Sequence, residues 1–234
     1  MKNKLQRFAE IKNFSNVLQP TEPKFIDWQN HFGNNNPIIL ELACGHGAYT
    51  LGLAKMFPNK NFIGIDVKGA RIWKGAKIAL DEKLTNVAFL RAQIQFLDKY
   101  FQKNSVTEIW ITFPDPYPKK RHAKNRLTSP RFLQIYEKTL NSDSTLHLKT
   151  DDFDLFNYSV ETAISENWQI KQIINNIYNI PAFYLPCRSF SEGRSFRAGS
   201  NGDPEPNPLY GIKTFYEQQH LKNDKQIHYL QVTK

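Results

Sequence analysis

Residues 38–50 read IILELACGHGAYT. Ile38, Ile39, Leu40 and Leu42 make a short apolar run broken only by Glu41, the signature of a strand buried on both faces. The run stops at Gly45 and Gly47, and apolar residues at helical spacing follow from Tyr49 to Met56. Strand, glycine turn and helix form the first half of a βαβ unit. The same alternation repeats downstream. Strands are expected at Ile38–Ala43, Phe62–Val67, Val87–Leu90, Ile109–Phe113 and Leu146–Leu148, with helices at Tyr49–Met56, Arg71–Leu80, Arg131–Leu140 and Leu155–Ile164. Such a chain folds as α/β, with a doubly wound, mostly parallel sheet. Trp168–Tyr178 and Gln226–Val232 read as two longer strands that complete a seven-stranded sheet with an antiparallel edge. Residues 1–36 are polar and are expected to be a partly flexible N-terminal extension to a domain spanning 37–234. Within that domain 186–208, rich in Pro, Gly and Ser, reads as a long surface loop.

A chain of 234 residues with 40% hydrophobic and 13% aromatic content can bury one substantial core. Its formal charge of +9 points to a polyanionic partner. The two cysteines, Cys44 and Cys187, are far apart and imply no disulfide framework, and no Cys/His spacing implies a bound metal. The N-terminus MKNKLQRFAE has no apolar segment of the secretory kind, and no run is long enough to span a membrane, so a cytoplasmic protein is expected.

The glycine turn carries the first chemistry. Gly45 and Gly47 let the backbone turn tightly beside a ligand at the C-terminal edge of the sheet. Asp66 ends the second expected strand, where a carboxylate can accept both hydroxyls of an adenosine ribose. Thr50 occupies the place of the third glycine that a dinucleotide site would want. A glycine pair preceded by a strand carboxylate, Glu41, suits S-adenosylmethionine better than a nicotinamide dinucleotide, because the amino and sulfonium groups need anions nearby rather than a phosphate cradle. Cys44 reads as a small buried residue, and His46 has no partner legible in the sequence.

The second chemistry lies at residues 113–127, FPDPYPKKRHAKNRL, directly after the strand that ends in Ile109, Trp110 and Ile111. Three prolines stiffen a turn that holds Asp115 beside the expected ligand crevice. Lys119, Lys120, Arg121, Lys124 and Arg126 follow, and no acidic residue appears between Asp115 and Glu137. Asp115 can accept from the N1–H and amino group of a guanine, and the cations can hold phosphates.

Taken together, PDPYPKKRHAKNRL, ELACGHG, GIDVKG, LKTD at 148–151 and KTFYE at 213–217 resemble the bacterial tRNA (guanine-N7-)-methyltransferases of the TrmB type. The resemblance covers roughly 36–180 and 209–232 and implies a Rossmann-like, class I S-adenosylmethionine-dependent methyltransferase acting on N7 of the variable-loop guanosine of tRNA. It assigns Glu41, Gly45, Gly47, Asp66, Gln93 and Asp115 to the cofactor, with Gln93 standing where the family usually has Asp and Tyr117 where it usually has Trp. It assigns Lys119, Asp151, Thr214, Phe215, Tyr216 and Glu217 to substrate, and implies a monomer or homodimer. The chemistry is consistent with this. Guanine N7 has an in-plane lone pair and no proton, so it can attack a sulfonium methyl without a general base, and Asp115 or Asp151 can stabilise the cationic purine that results. Methylation of an adenine amine, a dinucleotide-dependent dehydrogenase and a non-catalytic RNA-binding module on the same fold are the alternatives.

Overall fold

A computed structural model of the protein describes residues 3–179 and 207–234; most of the expected loop at 186–208 therefore lies outside the described residues. The described residues form one eight-stranded sheet. In chain order the strands are β1 (Val17–Leu18), β2 (Ile38–Leu42), β3 (Asn61–Asp66), β4 (Val87–Arg91), β5 (Val106–Thr112), β6 (Leu140–Thr150), β7 (Gln169–Ile174) and β8 (His228–Thr233). Their spatial order is β1-β4-β3-β2-β5-β6-β8-β7. The first six pair in parallel, and β8 runs antiparallel to both β6 and β7. Seven strands match the expected ones. The eighth, β1, comes from the segment expected to be a flexible extension, and Val17 and Leu18 pair with Phe89 and Leu90.

That N-terminal segment is built into the fold from Asn3 onward. It forms helix α1 (Lys4–Glu10), a 3₁₀ turn at Ile11–Asn13 and helix α2 (Trp28–Phe32). Ile11 and Trp28 are fully buried and anchor it. Two isolated apolar anchors in a polar context give no periodicity to read, which is why the sequence alone did not reveal it.

The remaining helices are α3 (Ala48–Met56), α4 (Gly69–Asp81), α5 (Leu97–Tyr100), α6 (Pro130–Glu137), α7 (Phe153–Ser165), α8 (Pro208–Gly211) and α9 (Phe215–Lys222). Apolar side chains of α3 and α4, with Ile11, pack on one face of the sheet; those of α6 and α7, with Trp28, pack on the other. Residues of β2, β3 and β5 alternate between the two cores: Ile39, Phe62 and Trp110 face one, Leu40, Ile63 and Ile111 the other. The winding reverses between β2 and β5, so the C-terminal ends of these two strands border a crevice. The glycine turn and the proline turn both sit there.

Candidate active site

Asp66, at the end of β3, is nearly buried and faces the glycine turn. Its Oδ2 accepts from the Gly45 N–H at 3.0 Å and its Oδ1 from the Lys68 N–H at 2.8 Å. Each oxygen keeps a further lone pair for a ligand hydroxyl. Several of the turn's N–H groups are spent within the fold. The Gly47 N–H donates to the Cys44 carbonyl at 2.8 Å, and the Thr50 N–H to Glu41 Oε2 at 2.7 Å. Gly47 has a left-handed φ of +69°, and a Cβ there would lie 2.5 Å from the Phe89 ring. Both its conformation and its packing demand glycine.

Glu41 is buried inside the turn rather than presented to the crevice. Its Oε2 accepts from the backbone and hydroxyl of Thr50, and its Oε1 from the Thr112 hydroxyl at 3.1 Å. It thereby ties β2 to the start of α3 and to the end of β5. Burial raises its pKa to about 7, against the hydrogen bonds from Thr50 and Thr112 that favour the charged form.

Beyond Asp66 the crevice opens into a cavity of about 260 Å³, lined by Val67, Gln93, Ile94, Tyr117, Arg131 and Phe132 among others. A carboxylate at the mouth and apolar walls from Val67, Ile94 and Phe132 suit a ribose and a flat heterocycle, and so fit the adenosine half of S-adenosylmethionine. Gln93 is exposed at the rim, where its Oε1 accepts from Gln95 Nε2 at 2.7 Å, and Gln95 in turn accepts from Arg131 at 3.0 Å. Sequence reasoning reached Asp66 through a strand end and Gln93 through the family resemblance. It missed Val67, Ile94 and Arg131; adjacency to Asp66 and Gln93 was the signal available for the first two, and Arg131, on α6, had none.

The proline turn closes the other side. Phe113 and Tyr117 both hold left-handed backbone, with φ of +49° and +45°. For non-glycine residues this is a strained state, maintained by what surrounds it. Arg126 does the holding. It is 8% exposed, donates to the carbonyls of Pro116 at 3.0 Å and Tyr117 at 3.2 Å, and stacks on the Tyr158 ring at 4.3 Å. Expected on the tRNA backbone, Arg126 is instead a brace: its charge is committed to carbonyls of its own turn. Lys119, Lys120, Arg121 and Lys124 are exposed on and beside the 3₁₀ turn Lys120–Asn125. Asp115 projects into solvent at the crevice, with no hydrogen-bond partner among the described residues.

A further wall meets the proline turn at Phe113. The Phe113 ring stacks with His220 at 5.7 Å, and His220 Nδ1 lies 3.3 Å from Asp151 Oδ2, which also accepts from Lys225 at 2.6 Å. Phe215 and Tyr216 are exposed on the first turn of α9.

A family model described as a putative methyltransferase matches residues 35–230. The tRNA (guanine-N(7)-)-methyltransferase of Christiangramia forsetii is 43% identical over 238 residues, spanning 98% of this chain and 96% of its own. The enzyme of the same name from Porphyromonas gingivalis is 44% identical over 218 residues, spanning 92% of this chain and 80% of its own. The chain belongs to the tRNA (guanine-N(7)-)-methyltransferase family. Among solved structures, the 16S rRNA methyltransferase KamB shares the fold with a TM-score of 0.60 at 13% identity, covering 90% of this chain and 94% of its own.

Membership in this methyltransferase family sharpens one discrepancy. The resemblance assigns Thr214 and Glu217 to substrate, yet both are buried here. They form the capping box of α9: the Thr214 hydroxyl accepts from the Glu217 N–H at 3.1 Å, and Glu217 Oε2 from the Thr214 N–H at 3.4 Å. Glu217 Oε1 also lies 2.7 Å from Lys149 Nζ and accepts from the Tyr178 hydroxyl at 2.6 Å. Lys149 is fully buried on β6 and donates as well to the Leu209 carbonyl at 2.8 Å. In this structure the pair anchors the segment that presents Phe215 and Tyr216. The T-x-x-E spacing at 214–217 is itself a capping-box signature that the sequence displays.

Proposed function

We propose that the chain transfers the methyl group of S-adenosylmethionine to N7 of a guanosine in tRNA, with the variable-loop guanosine as the favoured target. The observation that carries this reading is the position of Asp115. It is exposed on a strained, braced turn whose Tyr117 lines the Asp66 cavity and which runs on into an exposed, acid-free stretch of four cations. The relatives' shared name supports the same acceptor.

Bound S-adenosylmethionine supplies an electrophilic methyl group on a sulfonium. The rest is done by the chain. Asp66 receives the ribose hydroxyls, and Val67, Ile94 and Phe132 enclose the adenine. Asp115 accepts from the N1–H and amino group of the guanine and so fixes the direction of its N7 lone pair. No proton leaves N7, so no base is needed. The purine gains positive charge as the methyl arrives, and the fixed carboxylates of Asp115 and Asp151 stabilise it. Phe215 and Tyr216 offer faces on which an unstacked base can rest. Lys119, Lys120, Arg121 and Lys124 hold the sugar–phosphate backbone. The enzyme works in the cytoplasm, where tRNA is found. Transfer of labelled methyl to bulk tRNA followed by nucleoside analysis tests the reading: label in 7-methylguanosine supports it, and label in a methylated adenosine, or none, overturns it.

A further inference from the structure

The glycine turn has neighbours that methyl transfer does not use. Helix α4 packs so closely on it that a Cβ at Gly75 would lie 2.4 Å from the His46 carbonyl oxygen. That contact brings Lys74, and Arg71 one turn earlier on the same face, to the rim of the crevice. Helix α1 lies across α4. Trp73 Nε1 donates to Glu10 at 2.9 Å, and the Arg7 guanidinium sits 5.2 Å from the Trp73 ring centre. Arg7 Nε is buried without a hydrogen-bond partner. His46 feels this company: its pKa lies below the usual value, first through burial and then through repulsion by Lys74, Arg71 and Arg7. The nearby carboxylates are already engaged. Glu10 accepts from Trp73, Asp66 from two backbone N–H groups, and Asp81 pairs with Lys77 at 3.0 Å. These donors to Glu10 and Asp66 are neutral, so the two carboxylates offset part of the charge of Arg7, Arg71 and Lys74, and cations outnumber anions on the α4 side of the crevice, while the Lys119–Lys124 turn leads into α6 on the opposite face of the sheet.

We propose that Arg7, Arg71 and Lys74 form a second phosphate-binding patch, so that the RNA strand crosses the crevice with its backbone held on both sides of the target base. The proposal rests on the reading that the acceptor is RNA. A base that enters a pocket leaves its stack, and its backbone continues in both directions. One basic patch fixes only one of these directions and leaves the base free to swing; two fix its position over the cofactor.

The double variant Arg71→Ala/Lys74→Ala tests this, with Lys74→Glu as a second variant whose altered side chain is exposed in the native fold. Filter binding of tRNA across a salt series is measured beside calorimetric titration with S-adenosylmethionine. The expected result for the double variant is a rise of about tenfold or more in the tRNA Kd at low salt, and a slope of log K against log salt flatter by roughly 1.5, with cofactor affinity kept. Lys74→Glu should shift tRNA binding in the same direction. Wild-type affinity and slope in both variants would overturn the proposal. So would a loss of cofactor affinity with the tRNA slope intact, which would assign the cluster to the cofactor's carboxylate. A wild-type chain that binds no tRNA at all would overturn the RNA reading along with it.

Discussion

Arg126→Ala separates a brace from a phosphate contact. The guanidinium is buried, donates two hydrogen bonds to backbone carbonyls and stacks on Tyr158. A hydrogen bond from a charged donor is worth about 1.5–3 kcal/mol, and a cation–π contact about 0.5–2 kcal/mol. Water can reach part of the opened turn and re-solvate the two carbonyls, so the lower half of the sum applies. The variant should therefore lose about 3.5–6 kcal/mol of stability. The strain of left-handed Tyr117, on the order of 1–3 kcal/mol, is then no longer held, and the turn relaxes. Asp115 loses its fixed position, and methyl transfer at saturating tRNA should fall by about tenfold or more. The salt dependence of tRNA binding should keep its slope, because no phosphate contact has been removed. Urea denaturation, single-turnover methylation and a salt series of filter binding measure the three quantities. Stability within about 0.5 kcal/mol of wild type, combined with a slope flatter by about one unit, would refute the reasoning and return Arg126 to the RNA.

Asp115→Asn, which alters an exposed side chain, should leave tRNA affinity nearly intact and reduce single-turnover methyl transfer by about two orders of magnitude. Lys149→Met should cost about 3–5 kcal/mol in a urea melt, because it leaves Glu217 buried without its cation. Glu41 gives a pH signature. Its folded pKa of about 7 lies above the usual 4.5, so its contribution to stability is complete below 4.5 and is lost as pH rises through 7. The loss amounts to about 3 kcal/mol. Glu41→Gln should therefore gain on wild type in urea midpoint between about pH 5 and about pH 8. Glu108 does not disturb this window. Burial alone would raise its pKa, but the hydrogen bond and charge of His147, with Lys60 and Trp110, bring it down to about 2, so its contribution is lost only in acid.

The parallel sheet was legible because its strands are buried on both faces and read as apolar runs: β2, β3 and β4 begin and end within a residue of the expected bounds. Strand β6 was not. It extends from Leu140, yet only Leu146–Leu148 read as strand, since Asn141, Ser142 and Asp143 are partly or fully exposed at its start. Strand-end carboxylates were legible by position, but what each one touches was not. Asp115 faces the crevice, whereas Glu41 turns inward onto two threonines, and no local pattern separates the two cases. Arg126 was grouped with its basic neighbours because charge is visible in a sequence and the direction of a side chain is not. Another signal left unread was the capping box at Thr214 and Glu217, whose spacing alone announces a helix start.

The central claim is that an unprotonated ring nitrogen, positioned by Asp115, takes the methyl group without a base. Two tRNA transcripts that differ only in carrying guanosine or 7-deazaguanosine test it directly, each measured for binding and for acceptance of labelled methyl. Both should bind alike; the guanosine transcript should yield 7-methylguanosine and the deaza transcript no methylated nucleoside. Equal methylation of the two transcripts would contradict the account.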